Sequence, residues 1–147
     1  MSTHDREELE REGRMVRDHT RASLMSDTKW RKLLGALDRP GMTLDWCVVK
    51  FVGRCDERMI RRPTGLYPPR PWIDAFGFGP IPLRSIEWLL LPRQAKLPDF
   101  DRTSPAKYVT QDVELAASIV GERGRYPTEL SERGLLIRGY LPSPLAL

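Results

Sequence analysis

Between residues 26 and 41 the apolar positions recur at helical spacing. Trp30, Leu33, Leu34 and Leu37 fall at i, i+3, i+4 and i+7, which predicts an amphipathic helix over 27–37. Ser26 or Asp27 serves as its N-cap, because a short side-chain oxygen there accepts from the free N–H groups of the first turn. Asp38-Arg39-Pro40-Gly41 stops it, since proline lacks the N–H a helix needs and glycine releases the turn. Lys29, Arg31 and Lys32 take the opposite, solvated face, leaving Trp30 as a core anchor.

Over residues 42–52 the period changes to two. One face reads Leu44, Trp46, Val48, Lys50, Val52 and the other Asp45, Cys47, Val49, Phe51. Both are apolar in the middle, as in an interior strand covered on each side. A second strand is predicted over 83–91, with Trp88 in the core and Pro92 as its end, and a third over 134–141. Residues 93–103 read as a polar linker. Thr110 opens a helix to about Val120, with Gln111 and Asp112 in its first turn and Val113, Ala116, Ala117 and Val120 as its stripe.

Two stretches break these patterns. Residues 53–82 hold six prolines and four glycines, and a loop this long inside a domain is either functional or hides short elements. A short strand over 57–61 and one helical turn over 72–76 are the candidates. Residues 5–21 alternate charge with only Leu9, Met15 and Val16 as apolar members. The i,i+4 pairs Glu7–Arg11 and Glu10–Arg14 favour a helix, yet it has no continuous apolar stripe. Residues 1–25 are therefore expected to be a charged arm, and Met25 is a possible internal start.

The order of elements is helix, strand, long loop, strand, helix, strand. This predicts an α+β domain over 26–147: a small, mainly antiparallel sheet, two or three helices on one face, and a long Pro/Gly/Arg-rich loop.

With 147 residues, 40% apolar and 30% charged, the chain suits one globular domain rather than a disordered one. It has no apolar run of membrane-spanning length, and its charged beginning lacks a signal-peptide core, so a cytoplasmic protein is expected. Cys47 lies in an apolar stretch and Cys55 among charges, too few for a disulfide framework. The net charge of +4 is concentrated in residues 42–98, where arginine outnumbers lysine seven to two. Arginine suits bidentate contact and aromatic stacking, so this third of the chain has the composition of a recognition surface.

Several chemistries are poorly supported. The only histidines, His4 and His19, lie in the charged arm, and there is no C-x-x-C or H-E-x-x-H spacing, so neither a metal site nor a cofactor is expected. No histidine accompanies a nucleophile in the folded part, and Gly77-Phe78-Gly79-Pro80 precedes a strand and lacks a phosphate-loop lysine. Asp45-Trp46 and Glu87-Trp88 are acid–Trp pairs on the two best strands. Were both carboxylates to share a face, one would have a raised pKa suited to acid–base work. The competing reading, that each acid pairs with Lys50, Arg84 or a loop arginine, is favoured.

Arg61, Arg62, Tyr67, Arg70, Trp72, Asp74 and Phe76 form the candidate binding set, because arginine and aromatic residues on proline-stiffened backbone make interface hot spots at low ordering cost. Trp72 and Phe76 either face a partner or fold back over the sheet. Nucleic acid is disfavoured, since Asp56, Glu57 and Asp74 interrupt the arginines.

Two stretches also carry a resemblance. Asp27-Thr28-Lys29-Trp30-Arg31-Lys32-Leu33-Leu34 and Ile86-Glu87-Trp88-Leu89 resemble the T-K-W helix start and I-E-W-L strand of a family of small bacterial proteins of unknown function. The Pro/Arg-rich insertion departs from that pattern. The resemblance implies no catalytic residues. In size and style the chain is similar to immunity proteins, which neutralise bacterial toxins by binding them. The expectation is a protein-binding domain with another protein as partner, and an enzyme using Asp45 and Glu87 as the alternative.

Overall fold

The computed structural model describes residues 3–63, 72–75, 79–97 and 105–142. Its centre is a five-stranded antiparallel sheet built from β2 (Trp46–Phe51), β3 (Glu57–Arg61), β6 (Ile86–Pro92), β9 (Thr128–Leu130) and β10 (Gly134–Arg138). The order across the sheet is β3-β2-β6-β10-β9. Two helices cover one face, α2 (Asp27–Ala36) and α3 (Val113–Arg123). The protein is an α+β fold, as the element order predicted.

The core forms where the two apolar periods meet. Trp30, Leu33 and Leu34 of α2 and Val113, Ala116, Ile119 and Val120 of α3 pack on Cys47, Val49, Phe51, Leu89, Leu91, Leu135 and Ile137. Burying each leucine contributes about 1.5–3 kcal/mol. The Ser26 hydroxyl caps α2 by accepting from the Lys29 N–H at 3.1 Å. No helix of the described residues is long and apolar enough to cross a membrane.

Residues 42–45 lie outside β2, and backbone groups of Thr43 and Leu44 are taken elsewhere. Thr43 N–H donates to Asp112 Oδ2 at 3.3 Å, Asp112 N–H donates to the Thr43 carbonyl at 2.9 Å, and Arg62 Nε donates to the Leu44 carbonyl at 2.7 Å. Upstream of β6, Leu83–Ser85 is a 3₁₀ turn rather than strand. The register then slips by one: Lys50 faces Trp88 but Phe51 faces Ile86, which makes Glu87 the extra residue of a bulge. The strand predicted over 134–141 is interrupted at Gly139, whose N–H donates to the Glu87 carbonyl at 2.7 Å. A Cβ at 139 would collide with the Ile86 carbonyl oxygen, so only glycine allows the chains to approach this closely.

Other short elements differ from expectation. Trp72–Ala75 is a strand (β4), not a helical turn, and pairs with Gly79–Pro82 (β5). A two-stranded ribbon tolerates Pro80 and Pro82 because its outer edges have no ladder to complete. Within the stretch expected as polar linker, Gln94–Lys96 (β7) pairs with Tyr108–Thr110 (β8), pinned by the single buried residue Ala95. Both are too short for a readable period.

The N-terminal segment is helical over Thr3–His19 (α1), and its attachment is polar. Glu12 is buried, accepts from Ser85 Oγ at 2.7 Å and pairs with Arg54 Nη2 at 3.3 Å. Thr20–Ser23 (β1) pairs with Tyr140–Pro142 (β11), and Leu24 N–H donates to the Gly139 carbonyl at 2.8 Å.

Candidate interaction surface

Strand alternation gives the sheet a second face, opposite α2 and α3. Its residues form rows across the strands. Glu57, Lys50, Trp88 and Arg138 make one row, and Met59, Val48, Leu90, Leu136 and Glu129 the next. Arg61 and Trp46 make a third. The middle row is apolar across four strands, with a charge, Glu129, at one end. Trp46, Val48, Met59, Trp88 and Leu136 are half-buried, while Leu90 is buried.

Most charges on this face are already matched. Lys50 Nζ lies 2.6 Å from Glu87 Oε2, and Arg138 Nη2 lies 3.2 Å from Glu129 Oε2. Glu57, at the end of its row, and Arg61 are not among these pairs. The Arg61 guanidinium carbon sits 4.9 Å from the Trp46 ring centroid, a cation–π stack, and Arg61 has no carboxylate partner among the described residues. Stacking fixes the plane of the guanidinium while its edge N–H donors stay exposed.

The neighbouring arginines are engaged elsewhere. Arg62 points to the helix side and its side chain is only 7% exposed; Nε binds the Leu44 carbonyl, and Nη2 is 3.7 Å from Asp38. Its Nη1 is buried without a hydrogen-bond partner. Arg54 lies over the Phe51 ring at 5.7 Å and pairs with Glu12. Arg58 is bonded to Asp56 at 2.7 Å, and that hydrogen bond holds the Asp56 carboxyl below its ordinary range.

Of the predicted binding set, then, Arg61 lies on the second face and Arg62 does not. Trp72 and Asp74 belong to β4, where they face Pro82 and Pro80 in register. Tyr67, Arg70 and Phe76 lie outside the described residues. The carboxylates are not brought together. Asp45 is exposed just before β2, whereas Glu87 lies beside Lys50 near the far end of that strand. At about 3.3 Å per residue the two are roughly 15 Å apart, too far to share a proton.

Trp88 is not in the core: the bulge at Glu87 sets it on the second face between Lys50 and Arg138. Cys47, by contrast, is fully buried beneath the sheet, and burial pushes its thiol up to about 12. Cys55 is exposed. Among the described residues, no group of three His, Cys, Asp or Glu side chains could hold a metal ion.

Trp46, Val48, Met59, Trp88 and Leu136 were not singled out from sequence as a surface. The alternation Trp46-Val48-Lys50 carried the signal, but apolar content on both faces of that strand hid which one the helices cover. Compared with known proteins, the chain matches no protein-family model, and no curated protein or solved structure is significantly similar to it.

Proposed function

We propose that this chain works by binding another protein, with the second face of the sheet as the contact surface and Arg61 on Trp46 as its anchor. The observation that carries this reading is the exposed guanidinium stacked on a half-buried tryptophan without an acidic partner, at the edge of an apolar row. Tryptophan, methionine and arginine are the residues enriched in interface cores and hot spots. A partner that fits would place a carboxylate against Arg61 and apolar side chains over Val48, Met59 and Leu136. Occluding a toxin, as immunity proteins do, is the form of this reading suggested by the size of the chain.

The test is affinity capture with the full chain as bait, comparing wild type with Arg61→Glu and with a control change on α2, Lys32→Glu. The reading expects one partner retained by wild type and by Lys32→Glu and lost by Arg61→Glu. Equal capture by Arg61→Glu would move the site elsewhere, and no specific partner in any arm would count against binding as the function.

A further inference from the structure

The five-stranded sheet ends on β3, and no described strand lies beyond it. Arg62 N–H donates to the Asp45 carbonyl at 2.7 Å, just past the end of the β2–β3 ladder. Hydrogen-bonded pairs alternate along antiparallel strands, so Ile60 and Arg58 bond to β2 while Glu57, Met59 and Arg61 turn their N–H and C=O groups outward. None of them has another backbone partner among the described residues. An open row of this kind is a template for one more strand. The opposite edge offers less: β9 is 3 residues long, its Thr128 N–H donates to the Tyr126 carbonyl, and Glu129 is paired with Arg138.

The open edge is complementary to itself. Glu57, Met59 and Arg61 stand in line on the second face, an acid and a base either side of an apolar residue. Glu57 and Arg61 are exposed, and neither has an ion pair among the described residues. Lay a second copy antiparallel with the two-fold axis at Met59, and Arg61 stands opposite Glu57 of the second copy, and Glu57 opposite its Arg61. Each outward-turned residue then meets another outward-turned residue, so each pair exchanges both backbone bonds. Slipping the copies by two residues, the nearest shift that keeps this parity, sets Glu57 and Arg61 opposite Met59, Cys55 or Pro63 instead. Charge therefore selects one register. On the helix side, Arg58 comes beside Ile60 of the second copy with its charge already met by Asp56 at 2.7 Å.

We propose that the chain pairs with a second copy of itself through β3, forming one continuous antiparallel sheet across a two-fold axis at Met59. The second faces of the two copies then lie on the same side, and their apolar rows meet at Met59. This goes beyond the capture of another protein: it uses the backbone edge of β3 and some of the Arg61 donors, and it leaves Val48, Leu90 and Leu136 uncovered.

The experiment is sedimentation equilibrium of the full chain from about 10 µM to about 1 mM, with a reductant present so that exposed Cys55 forms no cross-link. A seam this short is small for a protein contact, so a dissociation constant on the order of 100 µM is expected. Wild type should approach twice the 16.9 kDa of the chain at the upper end. Glu57→Arg and Arg61→Glu should each weaken association at least about tenfold, since each change sets like charges opposite and is felt twice across the axis. The double variant Glu57→Arg/Arg61→Glu should recover association, because the reversed charges again face each other. Met59→Pro should abolish it: the Met59 N–H faces outward, so proline costs no bond to β2 yet removes the bonds at the axis. Should Met59→Pro fail to fold, the charge variants still decide. The double variant lacks Arg61, so it regains pairing without regaining capture of another protein, and the two readings fail separately. A monomer at every concentration, single variants that associate like wild type, a double variant that does not recover, or a folded Met59→Pro that still pairs overturns the proposal.

Discussion

The Gln111 carboxamide is bonded to both backbone groups of Trp46. Its Oε1 accepts from the Trp46 N–H at 2.9 Å, and its Nε2 donates to the Trp46 carbonyl at 3.0 Å. The same Nε2 donates to the Pro92 carbonyl at 2.7 Å. Continuing the β2–β6 register past Val48–Leu90 would set Trp46 opposite Pro92, which has no N–H to give. A side-chain amide thus stands in for a peptide group where proline ends the ladder, and it fixes the strand carrying the Arg61 platform.

Gln111→Leu should therefore cost far more than its position before α3 suggests. Three backbone groups, two part-buried and one buried, lose their partners, and a loss of about 2–4 kcal/mol is expected. Gln111→Glu should be at least as damaging, since it sets a carboxylate against two carbonyl oxygens. Urea unfolding measures both. A loss under about 1 kcal/mol for either change would show that water can take over these bonds.

What the sequence disclosed and what it hid divide along this line. The Trp30-Leu33-Leu34-Leu37 stripe was legible, because a long repeat at one period has one low-energy arrangement. Gln111 read only as a first-turn helix residue, since its role depends on two strands distant in sequence. Trp88 read as core because a one-residue bulge leaves no mark on the apolar run around it. Of the candidate site, Arg61 was visible as a cationic residue near aromatics. That its platform is Trp46, rather than a neighbour in the Pro/Arg-rich stretch, required the β2–β3 pairing.

The two cysteines should differ sharply toward a thiol reagent. Cys47 is fully buried and its thiol is pushed up to about 12, so at pH 8 it is almost wholly protonated as well as inaccessible. Cys55 is exposed. Thiol titration of the native chain at pH 8 should find one reactive group per chain, and in denaturant two. Two fast-reacting thiols in the native state would place Cys47 at the surface.

Asp27 should make stability depend on pH in the direction opposite to most carboxylates. Burial raises its pKa above the ordinary 3.8, outweighing Arg84 and Arg31. The folded state therefore holds this proton more tightly than the unfolded state. Its contribution is complete below the unfolded pKa and is lost as pH rises through the folded one. Asp27→Asn should leave stability near pH 3 little changed and improve it relative to wild type at neutral pH. Denaturant midpoints across that range measure the difference, and an Asn variant weaker at neutral pH would show that the charge helps the fold.

Adjacent arginines should behave in opposite ways when replaced. Arg61→Ala removes an exposed side chain whose contact is a stack on Trp46, worth about 0.5–1 kcal/mol at an exposed site. Arg62→Ala empties a buried position and strips the Leu44 carbonyl of its donor, so about 2–4 kcal/mol is expected. The unpartnered Nη1 sharpens the comparison. Because that nitrogen is buried without a bond, Arg62→Met, which keeps the apolar stem, should recover part of the loss despite having no donors. Any binding lost in Arg62→Ala is then a folding effect, whereas binding lost in Arg61→Ala at near-normal stability belongs to the surface. Chemical denaturation run beside the capture assay separates them, and equal destabilisation by the two alanine changes would contradict the inward placement of Arg62.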